Sequence, residues 1–443
     1  MAHALDAFAA ERERAARTWD RAGANDVART SEDAWSRFLS MGFPTTREEE
    51  WRFTSVEPIA EGAFTLGAPP TAVSRDLDVD PLRVPGAAAE LVFVNGWYVA
   101  SLSKRGTLPG GAQVESLASA LTDRAGRVRT HLARVAPFDR KPFVALNVAL
   151  FADGAWIELP AGAVMTQPIH LLFLSTGQAD GRPMMAHPHV VMNFGENGQA
   201  CVVETFAGLA GARYFTNVVT EIVLGENVIL EHYRLQFEGP DAYHVGTVHV
   251  QAHRGAAYAS HSVSLGGALV RNDLTAVLNG EGVECTLNGL YASDGDRLVD
   301  NHTTIDHARP HCGSREIYKG ILAGRARGVF NGKIIVRPDA QKTDAKQTNR
   351  ALLLSEDARI NTKPQLEILA NDVKCTHGAA VGQLDEEALF YLRSRGLSRD
   401  AARRLLIEAF AIDVLNRMPL DPVRAAVEAR LQRQLAIALP SAA

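Results

Sequence analysis

The residues best suited to chemistry are Cys375 and His377, separated by a single threonine and followed directly by Gly378. They close an alternating, strand-like run that begins at Lys363, and side chains two apart on a strand share one face. A thiolate and a neutral imidazole are good ligands for iron, zinc or copper(I), and the glycine lets backbone or another surface approach closely. A closed structural or cluster site takes about four protein ligands. Two ligands leave a deficit, which must be met elsewhere in the chain or by another subunit.

The two candidates are unequal. A free thiol with a pKa of about 8.5 is mostly protonated at neutral pH and needs a metal or a cation beside it to become a strong ligand. Lys374 adjoins Cys375 in sequence but points to the opposite face. His377 is therefore the principal candidate ligand and Cys375 the secondary one. A further set, Asp300, His302, Asp306, His307, His311 and Cys312, contains nitrogen and carboxylate donors suited to iron(II) or zinc. Asp300, His302, Thr304 and Asp306 would share a strand face, yet ladders of His, Asn and Thr along stacked strands satisfy one another equally well. The structural reading is preferred for this set. Cys201 and Cys285 lie inside apolar alternating runs and read as core.

The elements that must position these residues follow from texture. At 443 residues the chain exceeds one ordinary globular core, so it holds two or three domains or a repeating architecture. An amphipathic helix is expected over Ala4 to Arg21, carrying Leu5, Phe8, Ala9, Ala16 and Trp19, and another over Glu32 to Leu39. Residues up to Gly111 look loop-rich, and 112 to 135 look helical. From about Phe143 short alternating segments broken by small polar turns predict strands. Asn193-Phe194-Gly195-Glu196-Asn197 is echoed 30 residues on by Val223-Leu224-Gly225-Glu226-Asn227, and Asn-Gly turns follow at Asn279, Asn288 and Asn331. Strand-turn units at such intervals predict a parallel β-helix, with a two-sheet sandwich as the alternative. Beyond Gly382 the pattern becomes helical, with Asp385 and Ser398 as N-caps, Gly396 as a C-terminal stop and Asp421-Pro422 opening a third helix. The expected division is a mixed domain over 1–140, a β-helix core over 141–382 and a helical domain over 383–443.

Composition excludes several classes. A net charge of -5 argues against a nucleic-acid or anionic-membrane binder. Four cysteines without a CxxC pair fit a reducing compartment, and Met1 to Gly23 lacks a secretory core, so the cytoplasm is expected. No apolar run is long enough to span a membrane. With no GxxxxGK[ST] loop and no GxGxxG fingerprint opening a helix, neither a P-loop ATPase nor a dinucleotide fold is encoded.

The stretch from Asn371 to Gly378, continuing through Gly382 to Gly396, closely resembles the SufD branch of the SufB/SufD family, scaffolds of the SUF iron–sulfur cluster assembly machinery. Arg47 to Thr54, Asp300 to Leu322 and Asp339 to Leu354 resemble further elements of that family, so the likeness covers most of the chain. The SufB branch typically reads Glu-His-Glu-Ala where this chain has Lys374-Cys375-Thr376-His377-Gly378; SufD is the better fit. Gln365, Asn371, Thr376 and Ala380 depart from the usual SufD wording without removing a candidate ligand.

The resemblance implies a mixed N-terminal domain, a right-handed parallel β-helix and a C-terminal helical domain. It implies a non-enzymatic scaffold that pairs with a SufB-like scaffold and docks SufC, an ABC-type ATPase, through the C-terminal helices. An iron–sulfur cluster or iron would be held transiently at the junction, with His377 as the motif's ligand. A reduced flavin is compatible with the complex, and ATP enters only through the partner. The apolar stripe Ala402, Leu405, Leu406, Ala409 and Phe410 is the candidate docking face. Helices joined to the solenoid end could also cap it. Without its partner the chain could form a homodimer through the same edge. The competing readings are a SufB-like main scaffold, a β-helix carbohydrate-active enzyme using Asp300 and Asp306, and a self-contained metalloprotein using the 300–312 set.

Overall fold

The structure is a computed structural model that describes residues 2–21, 25–69, 77–177 and 181–438. Its centre is built from two stacks of strands between which the chain alternates. The first stack runs Gly154–Leu159, His189–Phe194, Tyr214–Leu224, Ala242–Ala252, Leu269–Leu278, Leu298–His307, Arg327–Val336 and Arg359–Ile368. The second runs Ile169–Ser175, Gln199–Gly208, Ile229–Phe237, Ala257–Ser264, Glu284–Ser293, Gly313–Leu322, Asp344–Leu353 and Lys374–Gly382. Neighbours within each stack pair in parallel, each strand with the one a full coil later. This is a parallel β-solenoid of about seven coils, and its parallel ladders exclude the antiparallel sandwich.

The 30-residue echo in the sequence is one coil seen twice. Asn197 and Asn227 both take the left-handed conformation at φ +57°, which asparagine tolerates better than most residues. Their amides stack, Asn227 Nδ2 donating to Asn197 Oδ1 at 3.1 Å. At Gly195 the adjacent coil passes so close that a Cβ would lie 2.6 Å from Ala161 N. Inside, rows such as Ile157, Met192, Ile222 and Val250 are fully buried, each such side chain stabilising the fold by about 1.5–3 kcal/mol.

The two ends of the solenoid differ. Ala89–Val94 adds to Ile169–Ser175 in parallel, and Gln113–Ser116 adds to Gly154–Leu159 in the antiparallel sense, covering the first coil. Along the last coil, Arg359–Ile368 and Lys374–Gly382 are half-buried to exposed. The lumen is therefore open at this end.

The helices line the flanks. Asn25–Met41 and Pro142–Leu150 pack on the outer face of the first sheet, where Phe38, Phe143, Phe215 and Val245 meet. Ala2–Arg21 buries Phe8 and Ala15 there; the side chains of Ala16 and Trp19 lie outside those described. Three local expectations are corrected. Residues 142–150, expected to start the strands, form a helix that buries all but Pro142, and a helix buried on all sides has no polar face to betray its period. Residues 112 to 135 contain the strand Gln113–Ser116 and two short helices, Leu117–Asp123 and Ala125–Val128, instead of one long helix. The region read as loop contains the wholly buried strand Ala89–Val94.

At the C-terminus Asp385 accepts from the N–H groups of Glu387 and Ala388, Ser398 accepts from Ala401 N–H, and Gly396 sits at φ +97°, as the sequence requires. The helices Arg399–Leu415 and Asp421–Ala438 then turn back along the outer face of the second sheet, packing Ile407, Ala411, Val414 and Leu431 against Tyr233, Leu290 and Ile321. They flank the solenoid and leave its last coil exposed, contrary to the expected cap.

Candidate functional site

Among the described residues the last strand, Lys374–Gly382, pairs with one neighbour only, Asp344–Leu353. A tight corner fixes its start. Lys342 takes the left-handed conformation at φ +63° and its N–H donates to Asp372 O at 2.6 Å, while Asp372 N–H donates to Gln341 Oε1 at 2.9 Å. Lys374 N–H donates to Thr343 O at 2.8 Å and sets the register. Cys375 then lies beside Ala345, and His377 beside Gln347. Ala345 and Gln347 are buried within the solenoid, whereas Lys346 between them is exposed. By alternation Cys375 and His377 face the lumen at its open rim.

The rim residues differ in surroundings. Cys375 is half-buried against Ile334, Val336, Ala340 and Ala345. Burial pushes its thiol pKa up; a backbone contact from Ala345 opposes this, and the Asp344 carboxylate adds to it. His377 is exposed. Elsewhere on the last coil Ile368, Leu369 and Val381 are 39%, 64% and 48% exposed. The rim thus combines an unpaired strand edge, exposed apolar side chains and an imidazole, a surface that another chain can extend and cover.

Residues 173–410 match the family model described as SUF system FeS cluster assembly, SufBD core domain, and residues 6–171 match the SufBD protein N-terminal region. The chain belongs to the SufBD family. It is 34% identical over 399 residues to the iron–sulfur cluster assembly protein SufD of Escherichia coli, covering 90% of this chain and 91% of that protein. A SufBD family protein of Synechocystis is 34% identical over 404 residues, 89% of this chain and 87% of its own. The chloroplastic protein ABCI7 of Arabidopsis thaliana is 28% identical over 403 residues, covering 90% and 84% respectively. This is accordingly a SufD-like iron–sulfur cluster assembly protein, and no helix among its described residues is long and apolar enough to cross a membrane.

In this SufBD chain the 300–312 set does not converge. Asp300 and His302 point outward, towards the N-terminal Glu49–Trp51 turn. Arg271 Nη1 donates to Asp300 Oδ2 at 2.7 Å, Thr54 Oγ1 donates to the same oxygen at 2.5 Å, and His302 sits 3.1 Å from both Asp300 Oδ1 and Glu50 Oε2. Arg271 also lies 4.4 Å above the Trp51 ring. Asp306 is paired with Arg337 at 2.7 Å. His307 faces inward to Ser314 Oγ at 3.0 Å, Cys312 Sγ donates to Gly280 O at 3.2 Å, and His311 is exposed on a corner. Among the described residues no three His, Cys, Asp or Glu side chains gather to hold a metal ion. Cys285 is core, while Cys201 is half-buried beneath the C-terminal helices.

The C-terminal stripe divides between two faces. Ala402 is buried and Leu406 half-buried, while Phe410 packs inward with Lys319 Nζ 4.7 Å over its ring. Leu405 and Ala409 face solvent with Phe390, Tyr391 and Ile412. Two residues near the rim escaped sequence reasoning, Gln347 and Glu316. They lie one and two coils before His377 on its inward-facing level, and the coil repeat itself was the available signal.

Proposed function

We propose that this chain is a non-enzymatic scaffold whose open solenoid end is half of a cluster-building site. A SufB-like scaffold pairs along the unpaired edge of Lys374–Gly382 and supplies the missing ligands. His377 contributes a nitrogen to the iron or iron–sulfur cluster assembled there, which is cargo and not a resident group. Cys375, shielded and held as a thiol, is the secondary ligand. The observation that carries this reading is the placement of His377 on the inner face of an edge strand at an uncovered lumen. Four free cysteines fit a reducing, cytoplasmic setting.

The ATPase docks on the exposed face formed by Phe390, Tyr391, Leu405, Ala409 and Ile412, and ATP acts only through it. A reduced flavin, if the complex carries one, has no residue assigned in this chain. Without its partner scaffold the same edge pairs two copies. The test is cluster formation by the co-expressed complex carrying His377→Ala: the proposal expects assembly with little or no cluster, and an undiminished yield of cluster would remove His377 from the site.

A further inference from the structure

One inward-facing level of the second sheet turns polar as it nears the rim. Leu287, Glu316, Gln347 and His377 follow one another on successive coils, and the last three carry hydrogen-bonding side chains. Glu316 and Gln347 are both buried, and Gln347 Nε2 donates to Glu316 Oε2 at 2.7 Å. The Thr303 hydroxyl faces the same carboxyl from the opposite sheet. Across the lumen stands Gly332, where a Cβ would collide with the Gln347 amide, so the absence of a side chain there makes room for it. Among the described residues Gln347 Oε1 has no hydrogen-bond partner, although it is buried. An unpaired buried acceptor is destabilising. With its nitrogen committed to the coil before, the amide turns its oxygen away from Glu316, and the next residue on that level is His377.

We propose that Gln347 is a positioning residue for His377, held by Glu316, and that its Oε1 accepts the N–H of one imidazole nitrogen so that the other nitrogen's lone pair points out of the rim. This rests on the reading of His377 as a ligand. An imidazole ligand needs one nitrogen deprotonated and the ring held still, and a hydrogen bond from its other nitrogen supplies both. The amide is a suitable acceptor because, unlike a carboxylate, it adds no charge at the rim. Glu316 fixes which end of the amide faces the rim by engaging the nitrogen.

Histidine-selective 15N NMR of the full-length chain reads which imidazole nitrogen holds the proton and how fast that proton exchanges with water, with the His377 signal assigned by its loss in His377→Gln. The expected result at alkaline pH is one dominant tautomer, whose proton exchanges about tenfold more slowly in the wild type than in Gln347→Leu. In the co-expressed complex Gln347→Leu should lower cluster formation about tenfold or more. Glu316→Gln, whose amide can donate as well as accept and so no longer fixes which end of Gln347 faces the rim, should bring the exchange rate between those of the wild type and Gln347→Leu. A wild-type proton that exchanges as fast as that of a free imidazole would overturn the positioning, whether or not the variant folds. If instead His377→Ala leaves cluster formation intact while the exchange difference persists, the ligand reading fails and the positioning stands as structure alone.

Discussion

Replacing Glu316 by glutamine should stabilise the protein at alkaline pH and change little in acid. The carboxyl is buried in the solenoid, and burial raises its pKa from 4.5 to about 7 despite the opposing hydrogen bonds from Thr303 and Gln347. A raised carboxyl pKa means that the folded state holds the proton more tightly than the unfolded chain. Below about pH 4.5 both states are protonated and the burial carries no pH-dependent penalty. Between 4.5 and about 7 the unfolded chain ionises first, so stability falls as pH rises, and above about 7 the penalty is complete. At about 1.4 kcal/mol per pH unit, the full effect is roughly 3 kcal/mol. Glutamine keeps the shape and an acceptor for the Gln347 amide while removing the charge. Urea unfolding of both proteins at pH 5 and pH 8 measures the difference: a gain of a few kcal/mol for Glu316→Gln at pH 8, shrinking to under about 1 kcal/mol at pH 5. An equal difference at both pH values, or a destabilised variant at pH 8, would show that something in the lumen compensates the carboxylate, and the account of its burial would be wrong.

Other outcomes follow from the outer clamp and the exposed helix face. Arg271→Met keeps most of the stacking volume over Trp51 but strands the buried Asp300 and its neighbour Asp273; a loss of about 3–5 kcal/mol is expected in urea unfolding, partly recovered in Arg271→Met/Asp300→Asn. For His302, burial and the Arg271 guanidinium push the pKa down, but Asp300 and Glu50 outweigh them and hold it above 6.5. Its contribution is therefore fully present below 6.5 and is lost as pH rises through the raised value, with Asp273 as the remaining nearby charge. Tryptic cleavage at Arg52, beside this latch, should accelerate as pH rises above 6.5 through the raised value, and a flat rate would separate the latch from His302. Leu405→Glu alters an exposed side chain, so it should abolish co-purification of the ATPase without shifting the unfolding midpoint; retained binding would move the docking face.

How much the sequence disclosed depended on whether a residue's partners lie a fixed distance away. The coils were legible because each strand's neighbour sits about 30 residues on, and the Asn197 and Asn227 turns announce that interval. The C-terminal caps were legible because Asp385 and Ser398 act on residues two and three positions ahead. Arg271 was not, since Glu50 and Trp51 are more than 200 residues away and no local pattern links them. The helix Pro142–Leu150 was missed because it is covered on all sides, and the flanking course of the C-terminal helices because periodicity identifies an apolar face without naming what it meets.

On the proposed reading of the rim, a cluster ligand and an exposed edge belong together. A solenoid whose coils repeat has no intrinsic reason to stop, and an uncovered last strand invites another chain to add to it. This chain leaves that strand nearly bare, with Val381 exposed on it and Leu369 exposed at the end of the strand before it. Burying those groups and pairing the edge would bring a second chain against the same inner face that carries His377. The hydrogen bonds that join the scaffolds and the ligands that complete the site would then form in one event, so a ligand set left incomplete in either chain alone keeps iron from being committed before both are present. Separating the two roles tests this: Val381→Lys should weaken pairing with a SufB-like scaffold and lower cluster formation in proportion, whereas His377→Ala should leave pairing intact and remove the cluster. Loss of pairing in His377→Ala would mean that the cluster, and not the strand edge, holds the two chains together.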